Sequence, residues 1–363
     1  MRHRHPTRRD FVKTSAGVVV GTAAGTLMPV WPGSRSRATR PVVSVVRIRN
    51  DRVDMAVEAA IDLLGGIETV AKGKDRIMLK PNLVAEGPHF TTKPGVVRTL
   101  AELMQRSGKE VLIGEGSAAG TGFNVRGPVT YRTRDREILD GMQQYVFDTL
   151  GYTDLARSLK VPLINLHLGD MAEVRLPKGF VFDTITLHRS LTDIDLLCSV
   201  PMMKTHVLAT VTLGMKNLIG LYPGTVYYSV RSWLHDRAAM AQSPGVAFET
   251  IDMVRANKLG LTVIDGSMAM EGNGPTEGSL VPMNLIVAGT NPLATDMVAA
   301  DIMGFGVNDV PTLAWAYRAG LGPASVREVE VRGEKPDTVR RPFRKPNVVS
   351  WESINQAWGV QEL

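Results

Sequence analysis

What most restricts the fold of this chain is a repeated order of segments. A short aliphatic, β-branched run is followed by a turn rich in Gly, Pro or charge, and then by a stretch with helical periodicity. Val42–Ile48 predicts a strand and Val53–Val70 a helix. Arg76–Leu79 predicts a second strand, Gly95–Arg106 a helix closed by Gly108, and Glu110–Ile113 a third strand. This is the spacing of βαβ units, so the fold class read here is α/β. The sheet or sheets should be largely parallel and flanked by helices, in one large domain or two closely joined α/β lobes. Further strands are expected at Pro162–Leu166, Val181–Leu187, Asp195–Val200, Leu261–Ile264 and Leu285–Ala288, with Val326–Val331 closing the order. Helices are expected at Arg136–Leu150, Phe248–Lys258, Pro292–Met303 and Val310–Ala319. The Gly-, Arg- and Thr-rich segment 115–134 is too long for a simple connection and reads as a lid or binding loop. The domain boundaries read are a leader and linker over 1–40, an α/β domain over 41–332 and an irregular tail over 333–363.

Composition narrows the function. With 44% hydrophobic and 21% charged residues, the chain is neither disordered nor a multi-span membrane protein. Its single cysteine, Cys198, excludes an internal disulfide framework and a four-thiolate zinc site, and no iron–sulfur cluster is expected. A divalent metal would have to use other ligands. The formal net charge of +6 is misleading, because residues 1–40 hold eight Lys/Arg against Asp10 alone, a local +7. Residues 41–363 therefore carry about −1, and a nucleic-acid partner, which needs a basic field, is not expected.

The charge is concentrated for a reason of its own. Thr7-Arg8-Arg9-Asp10-Phe11-Val12-Lys13 precedes a weakly hydrophobic Gly/Ala-rich run to Met28 and then a Pro/Gly/Ser/Arg stretch. Paired arginines followed by Phe, before an apolar region shorter than the roughly 20 residues of a membrane span, resemble a twin-arginine export signal. That resemblance implies the twin-arginine translocase as a partner, transport of the folded chain, and a periplasmic or other extracytoplasmic location. No A-x-A cleavage site is visible, so a membrane enters only through the leader, should it be retained as an anchor.

In open parallel sheets, ligands bind beyond the carboxyl ends of the strands. Four strand ends here deliver polar residues to that edge: Lys80-Pro81-Asn82, Glu115-Gly116-Ser117, Lys204-Thr205-His206 and Asp265-Gly266. The stretch from Lys204 to Gly220 sets Lys204, His206, Lys216 and Asn217 among small and apolar residues, where buried cations need an anionic partner. A surface lysine pair and a core histidine is the plainer alternative. The residues read as catalytic are His206, moving a proton, with Lys204 and Lys80 binding the anion. Asn82, Glu115, Ser117, Lys216 and Asn217 are read as substrate or cofactor contacts, and Asp265, Glu271 and His235 as metal ligands. Asn291-Pro292 should open a helix, with Asp296 complementing its dipole. The function expected is an enzyme acting on a small anionic molecule by acid/base or metal-assisted chemistry. The alternative is a non-catalytic envelope protein that binds a ligand or delivers a cofactor. The glycines at Gly114, Gly116, Gly120 and Gly122 form only a partial dinucleotide fingerprint, and no nucleophile elbow or His-Glu-x-x-His occurs.

Lys80-Pro81-Asn82, Pro201-Met202-Met203-Lys204-Thr205-His206, Gly214-Met215-Lys216-Asn217-Leu218-Ile219-Gly220 and Asp265-Gly266 with Met270-Glu271-Gly272-Asn273-Gly274-Pro275 together resemble the domain-of-unknown-function family 362, over roughly Val42 to Gly304. The ferredoxin-like cysteine segment of some relatives is not present in this sequence. More distantly, His206 and Lys216 with the glycines after them are similar to the histidine-to-lysine segment of nickel-dependent lactate racemase-type enzymes. That likeness implies His206 as an acid/base group and Lys216 as the contact to a nickel-pincer nucleotide or its phosphate. It also implies a metal-ligating histidine near His235, with His89 and His167 matching a second catalytic histidine by residue type alone.

Overall fold

The computed structural model describes residues 40–358 and 362–363, so the twin-arginine resemblance lies outside the described residues. Strands are β1 Val42–Arg47, β2 Arg76–Pro81, β3 Glu110–Glu115, β4 Leu163–Asn165, β5 Met171–Arg175, β6 Thr184–His188, β7 Leu196–Val200, β8 Met202–His206, β9 Thr210–Thr212, β10 Leu259–Glu271, β11 Ser279–Val281, β12 Leu285–Gly289 and β13 Glu330–Gly333. The central sheet runs β13-β1-β12-β10-β7-β2-β3-β4, with β8, β9 and β11 extending it beyond one end of β10. Pairing is parallel from β10 through β7, β2 and β3 to β4 and between β1 and β13, and antiparallel on both sides of β12. The fold is therefore α/β with a mixed, mostly parallel sheet in one large domain.

Both faces of the sheet are covered. Ile77, Leu79, Ile113, Cys198, Val263 and Ile286 face one way, toward helices Val53–Leu63 and Pro94–Arg106. Their strand neighbours Met78, Leu112, Leu197, Ile264 and Val287 face the other, toward helix Pro292–Ile302. Strands buried on both sides read as continuous apolar runs, which is why the sequence shows no alternation there.

Several elements differ from the reading of the sequence. Val53–Val70 is two helices, because Gly65 and Gly66 hold φ of +104° and +81° and end the first one at Leu63. The run Val181–Leu187 does not join the central sheet; β6 pairs with β5 in a separate antiparallel ribbon. Lys204-Thr205-His206 lies inside β8, and Leu261–Ile264 is the middle of the 13-residue strand β10. Pro201 does not lead into a crossover helix. The chain instead folds back through the β8–β9 hairpin, which pairs with the far half of β10 across a register shift between Met202 and Lys204. The closing segment is a 3-10 turn, Val326–Glu328, followed by β13. The tail also packs: Val339, Phe343 and Ile354 are buried, and a helix covers Trp351–Trp358.

Candidate functional site

The hairpin and the 3-10 turn that follows it, Lys216–Leu221, stand above the carboxyl ends of β2 and β3 and enclose a cavity of about 650 Å³. Lys80, Asn82, Glu115, His206, Lys216, Asn217, Arg231 and His235 line it, with Phe90, Leu208, Ile219, Val246, Trp351 and Ile354 as apolar walls.

The Lys80 ammonium is fully enclosed and fully used. It donates to both Glu115 oxygens at 2.7 and 2.9 Å, to the Pro81 carbonyl at 2.9 Å and to Asn217 Oδ1 at 3.2 Å. Glu115 also accepts the Leu83 and Gly116 amides, each at 2.8 Å. Asn217 returns Nδ2 to the Lys80 carbonyl and Ser199 Oγ, and its Oδ1 accepts from Asn82 Nδ2. A Cβ at Gly220 would press on the Glu115 carboxylate and stand 2.8 Å from Lys80 Nζ, so the turn can approach the pair only with glycine there. Burial still pushes the Lys80 ammonium below its ordinary range, against the opposing pull of Glu115.

Arg231, at φ +55°, is a second buried cation. Its guanidinium donates to the carbonyls of Ser117, Ser229, Gly116 and Gly220 and so ties the loop after β3 to the 3-10 turn. Burial lowers it to about 10. Lys204 is likewise occupied, donating to the carbonyls of Phe90 at 2.6 Å and Pro275 at 3.3 Å, and does not line the cavity.

Lys216 is different. Among the described residues its ammonium has neither a hydrogen-bond partner nor a carboxylate within ion-pair distance, although it lines the same cavity. The residue is only partly buried, and desolvation, with the charges of Lys80 and Arg231 added, pushes its ammonium down to about 7, into the range where the free amine is populated near neutral pH. Its turn is anchored by Asp296, whose carboxylate accepts the amides of Gly214 at 2.7 Å and Met215 at 2.8 Å. Asp296 therefore does not complement its own helix dipole as expected; it caps the approach to Lys216. Burial raises that carboxyl to about 7 in spite of the two amides. The Asn291 cap stands, its side chain accepting from the Ala294 amide.

The histidines sort by their partners. His206 Nδ1 accepts the Leu208 amide at 3.0 Å, which places the neutral ring's proton on Nε2. Burial, with Lys216 the leading charge, holds the ring well below the ordinary histidine range. His206 is thus an N–H donor rather than the base read from the sequence. His167 is saturated, with Nε2 on the Ser117 carbonyl and Nδ1 on the Gly224 amide, and His89 is exposed. His235 stacks on Trp351 with ring centroids 4.6 Å apart, and its Nδ1 stands 3.9 Å from Glu249 Oε1. Glu249 is fully buried, and that oxygen accepts no hydrogen bond.

The residues read as metal ligands do not come together. Asp265 accepts from the Lys93 and Ser267 amides and from Ser267 Oγ, while Glu271 accepts the Arg344 amide; neither lines the cavity that His235 faces. Among the described residues no three His, Cys, Asp or Glu side chains converge on an ion position, so Asp265, Glu271 and His235 do not form the implied metal site. Ser117 does not line the cavity either: its amide is held by Gln143, its carbonyl by His167 and Arg231, and its hydroxyl is buried without a partner among the described residues. Arg231, Glu249, Phe90 and Trp351 carry no motif. The one available sign was a glutamate at 249 in an otherwise largely apolar helical stretch.

Residues 77–301 match the family described as Domain of unknown function (DUF362). The chain belongs to this DUF362 family. A curated relative, the thylakoid-associated protein sll1697 of Synechocystis sp. (strain ATCC 27184 / PCC 6803 / Kazusa), is 29% identical over 273 residues, which is 74% of this chain and 76% of that one. Among solved structures, the lactate racemase apoprotein of Thermoanaerobacterium thermosaccharolyticum aligns at TM-score 0.42 and 14% identity, over 75% of this chain and 58% of that one. A Thermotoga maritima protein aligns at TM-score 0.37 and 15% identity, over 67% and 56%. This chain spans less than two thirds of either solved chain.

Proposed function

We propose that this DUF362 protein is an enzyme acting on a small anionic molecule with an apolar body, held in the cavity above β2 and β3. The observation that carries the reading is the charge arrangement: Lys80, Arg231 and Lys216 border one cavity with Glu115 as the buried counter-charge, and Lys216 has no partner among the described residues. A carboxylate or phosphate would complete that balance, and the apolar walls would take the remainder of the ligand. The His206 Nε2–H would donate to a substrate oxygen, while Lys216 as a free amine, and His235 backed by Glu249, are the groups able to exchange protons. No step is assigned to a metal.

The location proposed is beyond the cytoplasmic membrane, reached through the twin-arginine route. Support comes from the leader sequence and from the thylakoid association of the Synechocystis relative. No described helix is long and apolar enough to cross a membrane. Replacing Arg8 and Arg9 together with lysine should leave the protein in the cytoplasm; unchanged export would refute this location.

Ligand class is tested by thermal shift with aliphatic and aromatic carboxylates against the matching amides. Carboxylates should raise Tm and amides should not, with the effect lost in Lys216→Met and kept in Lys216→Arg. Equal shifts from amides, or an undiminished carboxylate effect in Lys216→Met, would refute the anion site.

A further inference from the structure

The anion site leaves open what Lys216 does with its bound ligand. A side-chain amine lining a half-open cavity, with no hydrogen-bond partner among the described residues and flanked by two buried cations, has two chemistries open to it: removing a proton or attacking a carbonyl carbon. Three further features of the cavity separate them. First, His206 presents a fixed N–H, because its other nitrogen is committed to the Leu208 amide. Such a donor suits an oxygen that gains electron density, as a carbonyl oxygen does under attack. Second, His235 stands on the cavity wall with the buried, otherwise unpaired Glu249 oxygen behind its Nδ1. A ring placed on the wall with a carboxylate oxygen 3.9 Å from its Nδ1 can relay a proton to a departing oxygen. Third, a cationic product on Lys216 would be opposed by Lys80 and Arg231 unless the ligand itself brought a negative charge.

We propose that Lys216 forms an imine with the carbonyl group of a small oxo acid, an anion that carries its own aldehyde or ketone. This rests on the anionic-ligand reading and deepens it. The nitrogen lone pair forms the new C–N bond, and the carbonyl π pair moves to oxygen beside the His206 N–H. Oxygen then leaves as water, carrying in net the two hydrogens of the amine, with His235 relaying a proton to it. No oxidant or reductant is consumed, and hydrolysis reverses the step. The substrate carboxylate offsets the positive charge when the imine is protonated, and the apolar walls accommodate an aliphatic or aromatic tail.

The test uses glyoxylate, small enough to enter any such cavity, with cyanoborohydride to trap imines as stable amines, and formaldehyde as an uncharged carbonyl control. Modification of the full-length protein is followed lysine by lysine through peptide mass spectrometry over pH 6 to 10. The expected result is that Lys216 is trapped by glyoxylate at pH 7 on the order of tenfold faster than the exposed lysines. It should also show a glyoxylate-over-formaldehyde preference that the exposed lysines lack. Lys216→Arg should keep the carboxylate-induced Tm shift while losing the adduct. Trapping at Lys216 no faster than at exposed lysines, with the Tm shift intact, overturns the imine and leaves the anion site standing. Loss of both the trapping and the Tm shift overturns the two together.

Discussion

Lys80 and Lys216 border one cavity, yet their surroundings are opposite. Lys80 has four acceptor contacts within 3.2 Å, including both oxygens of a carboxylate, and a glycine shaped around the pair. Lys216 has none among the described residues and sits beside two other cations. The first arrangement fixes the junction of β2, β3 and the 3-10 turn; the second holds an amine that the protein itself does not satisfy. Lys216 is only partly buried, and an amine lining the cavity with no acceptor among the described residues is one that an anionic ligand would satisfy. The difference also shows that residue type alone does not identify the reactive group. What distinguishes it is which of the lysines at the site lacks an acceptor among the described residues.

The largest effect should come from breaking the satisfied side. Glu115→Ala leaves the Lys80 ammonium and two backbone amides without their acceptor and should destabilise the fold by about 3–5 kcal/mol in chemical denaturation. The double change Lys80→Met with Glu115→Leu should cost clearly less. If the two variants were equally damaging, the pair would not be held by mutual neutralisation.

Asp296→Ala comes next. It uncaps the Gly214 and Met215 amides and should cost about 2–3 kcal/mol. Because those amides anchor the turn carrying Lys216, the carboxylate-induced Tm shift should weaken as well. A stability loss with full anion binding would separate the cap from the amine.

Lys216→Met should act in the opposite direction and raise stability by about 1–3 kcal/mol at and below pH 7. The sign follows from proton binding. Lys216 falls from its ordinary 10.5 to about 7 in the folded protein, so between those values the unfolded chain holds the extra proton and wild-type stability rises with pH. The advantage of Lys216→Met should therefore shrink as pH rises from 7 towards 10. A constant gap across that window would mean that Lys216 is not depressed.

The smallest effect is expected at the cavity wall. Glu249→Gln keeps a side-chain oxygen able to accept from Ser243 Oγ and should change global stability by no more than about 1 kcal/mol. It should nevertheless slow cyanoborohydride trapping of glyoxylate at Lys216, followed by peptide mass spectrometry, because the relay group His235 loses its carboxylate neighbour. An unchanged trapping rate would remove Glu249 as the partner of His235.

How much of this was legible follows the same division. Lys80, Asn82, Glu115 and His206 were placed at one rim by following each apolar run to its polar end, and Lys216 and Asn217 were added from the polar residues set among small and apolar ones up to Gly220. The cavity does gather them, because strand direction fixes that edge regardless of side-chain detail. Asp265 and Glu271 were misplaced for an equally physical reason. The sequence shows a run ending near Ile264, whereas the β8–β9 hairpin gives the chain after it a partner, and β10 continues to Glu271. Arg231, Phe90 and Trp351 reach the site through loop conformation and the return of the C-terminal segment, neither of which leaves a periodic pattern. Roles were less legible than positions. That Lys204 is spent on two carbonyls and His206 is fixed as a donor depends on single hydrogen bonds that only geometry supplies.

The central claim, that Lys216 is an unpaired amine awaiting an anion, is tested most directly by the titration of its side chain by nuclear magnetic resonance, assigned by comparison with Lys216→Arg. The account predicts a midpoint near the value of about 7 set by burial and its two cationic neighbours, moving upward when a carboxylate binds. A midpoint near the ordinary lysine value of about 10.4, unmoved by carboxylates, would contradict it.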